Sequence, residues 1–196
     1  LTSRLAVLVV LASVTAAPPT AAHAGTGVPR TGEWLLNHLT VGASYHADYD
    51  RDLFKLWDSE GNGCDARDEV LIRDAVQVTV GPGCTLTGQW RSPYDGIVTT
   101  NPTDEQVDHV VPLADAWRAG AWRWSAPTRE EYANDLGTGY DLLAVSAHSN
   151  ESKSDRDPSQ YLPPRKSFDC RYMTDYAAVM WRWRLNISTS LKSFLA

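Results

Sequence analysis

Cysteine is scarce in this chain: there are three, Cys64, Cys84 and Cys170, and no two are spaced as Cys-x-x-Cys. With five histidines scattered along the sequence, that pattern speaks against a zinc site. Neither His-Glu-x-x-His nor Gly-x-Ser-x-Gly occurs, so a peptidase reading has little support. No apolar run beyond residue 17 is long enough to anchor the chain in a membrane. Excess positive charge is missing as well. Eighteen Lys and Arg stand against 24 Asp and Glu, a formal charge of -6. An acidic domain does not attract a polyanion over its whole surface, so a nucleic-acid partner would require a local basic patch or a bound metal.

What is present begins with an apolar run over residues 5–17, preceded by Arg4, and with Ala22-His23-Ala24, which fits the small-x-small cleavage pattern. The run is shorter than the roughly 20 residues a crossing needs, so 1–24 is read as a secretory signal peptide with Gly25 as the first mature residue. The product is expected to be secreted and extracellular, without stable membrane association. The first residue is Leu instead of Met, and part of the charged start of that leader is expected to be missing. The mature part has the length of one domain. It divides into an N-terminal extension at 25–56 that packs on the domain, and the domain itself at 57–196, expected to be a monomer. Export permits disulfides. Cys64 and Cys84 enclose a short loop beside Gly63, Gly81 and Gly83, which suits a staple contributing about 3 kcal/mol. Cys170 is left over, and burial, pairing between chains or a partner beyond Ala196 are its alternatives.

Residues 31–39 carry weakly helical spacing, and the rings of Tyr45, Tyr49, Phe54 and Trp57 are expected to fill the first part of the core. The turn-rich stretch 58–64 lacks the acidic register of a calcium loop. A helix follows over 65–76, capped by Asp65. Strands at 76–80, 85–90 and 97–100, separated by Gly/Pro turns, imply a small antiparallel sheet. Residues 104–113 read as another strand, with Asp108-His109 at its centre. Next come a helix at 113–121 and one capped by Ser125 or Thr128, with Trp122 and Trp124 packed between them. A strand at 140–146 leads into a short helix that puts Asn150 and Lys153 on one face. A helix over 168–184 and a short one at 188–194 close an α+β chain.

Two strands followed by a helix can hold an ion between the first strand and the helix. Asp108 supplies a hard oxygen and His109 an imidazole to take a proton from water, with Lys153 or Arg156 on a neighbouring phosphate. Successive strand residues point to opposite faces, so Asp108 and His109 share one site only through strong twist or a bulge. Asn150-Glu151-Ser152 is also a glycosylation sequon.

Several blocks, in order, resemble one family. They are Gly63-Cys64-Asp65-x-Arg67-x-Glu69, Asp108-His109-Val110-Val111-Pro112-Leu113-x-Asp115-Ala116-Trp117, Tyr132-Ala133-Asn134-Asp135-Leu136, Asn150-x-x-Lys153-x-Asp155 and Leu162-Pro163-Pro164. Over about 57–168 the sequence is similar to the HNH, or ββα-metal, nucleases, and more closely to the family named after the C-terminal domain of the GmrSD restriction endonucleases. The resemblance implies an α+β fold with a small antiparallel sheet, a ββα-metal core and surrounding helices. It implies a secreted, divalent-metal-dependent endonuclease without sequence specificity, acting on DNA more than RNA. Mg2+ is the expected cation, with Mn2+ or Ca2+ as substitutes. Asp108 and Asn150 would ligate it, His109 would be the general base, Lys153 would assist, and Arg67 and Arg156 would hold substrate phosphate. Many relatives have an Asn before the second strand to orient the histidine; here Asp141 stands there, so either Asp141 or a backbone carbonyl is expected to hold the ring. The alternative is a catalytically inactive secreted binding or toxin-like module on the same scaffold.

Overall fold

The computed structural model describes residues 31–43 and 48–196. Residues 1–24, read from sequence as a leader, the first residues of the N-terminal extension at 25–30, and Tyr45 lie outside them.

The fold is α+β, with two small antiparallel sheets flanked by helices. The first sheet joins β1 (Gln77–Val80), β2 (Leu86–Arg91) and β3 (Val98–Thr99) in that order. Gly88 is required in β2, because a Cβ there would lie 2.2 Å from the Gln77 carbonyl oxygen. The second sheet pairs β4 (Glu105–His109) with β5 (Leu142–Ser146), His109 opposite Leu142 and Asp108 opposite Leu143. The helix α5 (Ala147–Lys153) follows β5 directly, with Ser146 as its cap, and completes a ββα unit.

Local chemistry accounts for the helices around this unit. In α2 (Ala66–Asp74), Asp65 and Asp68 form a reciprocal capping box. That helix packs on β2, β4 and β5 and buries Val70 and Leu71 with Leu86, Trp90, Val107, Leu142 and Ala144 in a small second core. Pro112 cannot extend a strand and precedes α3 (Leu113–Ala119), which ends at Gly120 with φ 138°. Ser125 caps α4 (Ala126–Ala133), with Pro127 in its first turn. The main core collects α3 and α4 against α6 (Asp169–Arg182), with α1 (Gly32–His38) and α7 (Thr189–Leu195) at its edge. The Cys64–Cys84 disulfide, with Cα atoms 5.1 Å apart, ties the approach to α2 to the β1–β2 turn. Cys170 is exposed on α6 as a free thiol.

Two expectations change. The Asp108-His109 pair stands at the end of β4, not at its centre, because the chain turns toward Pro112 and α3. Trp122 is exposed with the Arg123 guanidinium over its ring, while Trp124 packs on Tyr132 and Trp183, so only one of the two tryptophans fills the space beside α4. At the end of α6, Trp183 lies edge-on to Tyr132, and Arg182 bonds Asp135 through both Nε and Nη2.

Candidate functional site

The β4–β5 register runs without a bulge, so Asp108 and His109 obey strand alternation and project to opposite faces. Asp108 points toward α5. Its Oδ1 accepts from Lys153 Nζ at 2.8 Å, and its Oδ2 accepts from the Tyr94 hydroxyl at 2.5 Å. The same ammonium donates to the His109 carbonyl oxygen at 2.9 Å. Lys153 is 0 % exposed. Burial pushes the Asp108 carboxyl up, and the Lys153 ammonium and Tyr94 hydroxyl pull it back.

His109 points the other way, into an aromatic nest. Its ring stacks on Trp57 with centroids 5.9 Å apart and lies 6.1 Å from Tyr132. Its Nε2 is 3.0 Å from the Ala133 carbonyl oxygen. A carbonyl only accepts, so Nε2 carries the hydrogen and Nδ1 the lone pair. Burial pulls the imidazole down to about 3, against the Ala133 bond that favours its charged form. The ring is therefore neutral through the physiological range.

Trp57 is held over it by one side chain. Asn134 Oδ1 accepts from the backbone N–H of Trp57 at 2.6 Å and of Asp58 at 3.1 Å, while Nδ2 donates to the carbonyls of Lys55 and Glu130. Trp57 has φ 63°, a left-handed conformation disfavoured for a bulky residue.

The remaining residues singled out from sequence are distributed as follows. Asn150 donates from Nδ2 to Gln106 Oε1 at 2.8 Å, and Gln106 Nε2 in turn reaches Glu151 at 3.3 Å. Asp141 accepts from the Thr138 hydroxyl and lies 3.6 Å from Arg182 Nε. Burial and the neighbouring Asp135 raise its carboxyl to about 7. The backbone carbonyl of Ala133, not Asp141, holds the imidazole. Arg67 Nη2 donates to the Pro102 and Glu105 carbonyls and so fastens α2 to the start of β4. Arg156 bonds the Lys153 carbonyl and lies over the Tyr161 ring at 5.4 Å. Two contributors were not foreseen. Tyr94 sits in a turn between β2 and β3, where nothing in the local pattern marks it as a partner for Asp108. Asp95 accepts from the hydroxyls of Ser146 and Ser149 and anchors the start of α5.

A cleft of about 640 Å³ opens beside β4. Asp108, His109, Asn150, Gln106 and Glu151 line it, with Tyr49, Arg51, Arg118 and Asp155. The structure thus brings Asp108, His109 and Asn150 to one cleft, and leaves Arg67 and Asp141 in structural contacts elsewhere.

These positions belong to a recognisable domain. Residues 67–196 match the family described as GmrSD restriction endonucleases, C-terminal domain, and the chain belongs to that family, with its HNH-like ββα core. It is 37% identical over 193 residues, covering 96% of this chain and 94% of the relative, to a protein of Arthroderma benhamiae described as an uncharacterized secreted protein. In keeping with that relative and with the leader, the protein is secreted. No solved structure matches it.

The metal-dependent nuclease read from sequence is overturned. Among the described residues, the group of side chains close enough to hold an ion is Cys64, Asp68 and Cys84. Its two sulfurs are joined to each other, so neither is a thiolate free to coordinate a divalent cation. The ββα site does not fit the cation either. The carboxylate expected to bind Mg2+, Mn2+ or Ca2+ already carries a buried ammonium on one oxygen and a phenol on the other. The amide of Asn150 is engaged with Gln106 rather than with Asp108. Assignment as a hydrolase or nuclease with a divalent cation is corrected accordingly.

Proposed function

We propose that this protein is a catalytically inactive secreted binding module that keeps the scaffold of its family. One observation carries the reading: Lys153 Nζ lies 2.8 Å from Asp108 Oδ1 inside the ββα unit, where the expected cation would need that oxygen. A carboxylate so paired makes a structural ion pair and loses its value as a hard ligand. The disulfide-locked Cys64 and Cys84 support the same reading. The open cleft beside β4 supplies a surface for a ligand. The nucleic acid expected from the family resemblance remains a competing occupant, with the overall charge of -6 against it. We also propose that the module works as a monomer.

The test is incubation of the mature protein with plasmid DNA and with RNA, in Mg2+, Mn2+, Ca2+ and chelator. Intact polymer in every lane is the expected outcome. Cleavage that needs a cation and disappears in His109→Ala overturns the proposal.

A further inference from the structure

The cleft beside β4 carries both charges and presents a surplus of acceptors. Arg51 and Arg118 stand on its wall with Glu151 and Asp155, and Arg118 Nη1 is already bound to Asp155 at 2.9 Å. A strong field of either sign is therefore absent, and an ionic polymer gains little there. The polar atoms that remain for a ligand are mostly acceptors. The amide nitrogen of Asn150 is donated to Gln106, which leaves its Oδ1. Glu151 keeps one carboxylate oxygen beyond the one that accepts from Gln106. The guanidinium of Arg51, beside the Tyr49 hydroxyl, is the counterpart donor. Tyr49 is 37 % exposed, and Pro112, Leu113 and Ala114 give the cleft an apolar wall.

Acceptor oxygens on Asn150 and Glu151, a planar donor in Arg51, a half-exposed ring and balanced charge match a ligand whose hydroxyls donate and accept and whose C–H faces lie against apolar surface. We propose that this cleft binds a neutral oligosaccharide. The proposal rests on the binding-module reading and names the ligand class of that same site. Hydroxyls of the sugar donate to Asn150 Oδ1 and Glu151, Arg51 donates to a ring or hydroxyl oxygen, and a pyranose face covers Tyr49. No bond is made or broken.

The test is calorimetric titration of the mature protein with neutral tetrasaccharides of the cello-, xylo- and chito- series, and in parallel with a 12-nucleotide single-stranded DNA. Saturable binding of at least one tetrasaccharide is expected, weakened tenfold or more in Tyr49→Ala and in Asn150→Ala. Trp122→Ala, an exposed position outside the lining of the cleft, should leave it unaltered. Far-UV dichroism of each variant must match the parent, and Asn150→Asp, which keeps an acceptor oxygen, should bind better than Asn150→Ala. Failure of all three series overturns the proposal, as does binding that survives both variants or binding of the DNA alone. Cleavage of the DNA in the presence of Mg2+ is a separate outcome and strikes the binding-module reading itself.

Discussion

A lysine ammonium with no exposed surface is tolerable because two of its three donors have acceptors within 3 Å, Asp108 Oδ1, which is also its counter-charge, and the His109 carbonyl. Removing one partner from such a pair strands the other in a medium that solvates it poorly. Lys153→Ala is expected to cost about 3–5 kcal/mol of folding stability. The double variant Asp108→Asn with Lys153→Met should recover most of that loss, since no charge is then left inside. Urea unfolding of the parent, both single variants and the double variant measures it; a Lys153→Ala protein with unchanged midpoint would refute the buried pair. At this scale the sequence was partly legible. The Asn150-x-x-Lys153 spacing put both residues on one helical stretch and Asp108 within reach of it. What spacing does not show is which way a lysine turns. The choice between contacting a substrate phosphate and neutralising Asp108 depends on whether the α5–β4 interface is dry, and that is decided by Tyr161 and by Tyr94, the latter far from the motif along the chain.

At the scale of elements, periodicity located the five strands and the main helices because each has a clear cap or break: Asp65 before α2, Pro112 before α3, Ser125 before α4, Ser146 before α5. The missed features were contacts made by irregular chain. The segment at 55–58 has no periodic signal, yet it roofs His109 through Trp57, and Asn134 at the end of α4 fastens it with three hydrogen bonds. Asn134→Ala deprives two N–H groups and the Lys55 carbonyl of this partner and should cost about 1–3 kcal/mol. It should also release Trp57 from its left-handed conformation, so its tryptophan emission should shift to longer wavelength with the fold retained. Emission identical to the parent, at equal stability, would count against the clamp.

For the whole molecule, acidity has a thermodynamic consequence beyond solubility. Glu105 is 1 % exposed, neither of its carboxylate oxygens has a hydrogen-bond partner, and burial with Asp95, Asp104 and Asp74 nearby raises it to about 7. Its folded value lies above the unfolded value of 4.5, so between those limits the folded state holds a proton that the unfolded state has released. Stability from this group is full below pH 4.5 and declines as pH rises toward 7. Asp141, raised to about 7 from 3.8, acts in the same direction. His109 acts oppositely, because the unfolded chain takes up a proton below pH 6.5 that the buried ring refuses down to about 3. Glu105→Gln is therefore expected to flatten the decline between pH 4.5 and 7 and to raise the melting temperature at pH 8. Melting curves for the variant and the parent across pH 4–8 check it, and parallel curves would show that Glu105 is not the titrating group.

The short helix α5 is moored at both ends. Asp95 holds its first turn through Ser146 and Ser149, and Lys153, its last residue, is bolted to the neighbouring strand. A seven-residue helix has little intrinsic tendency to persist. Fastened in this way it cannot fray from one terminus, so the strand pair and the helix should open to solvent together, as a single cooperative piece, and not one turn at a time.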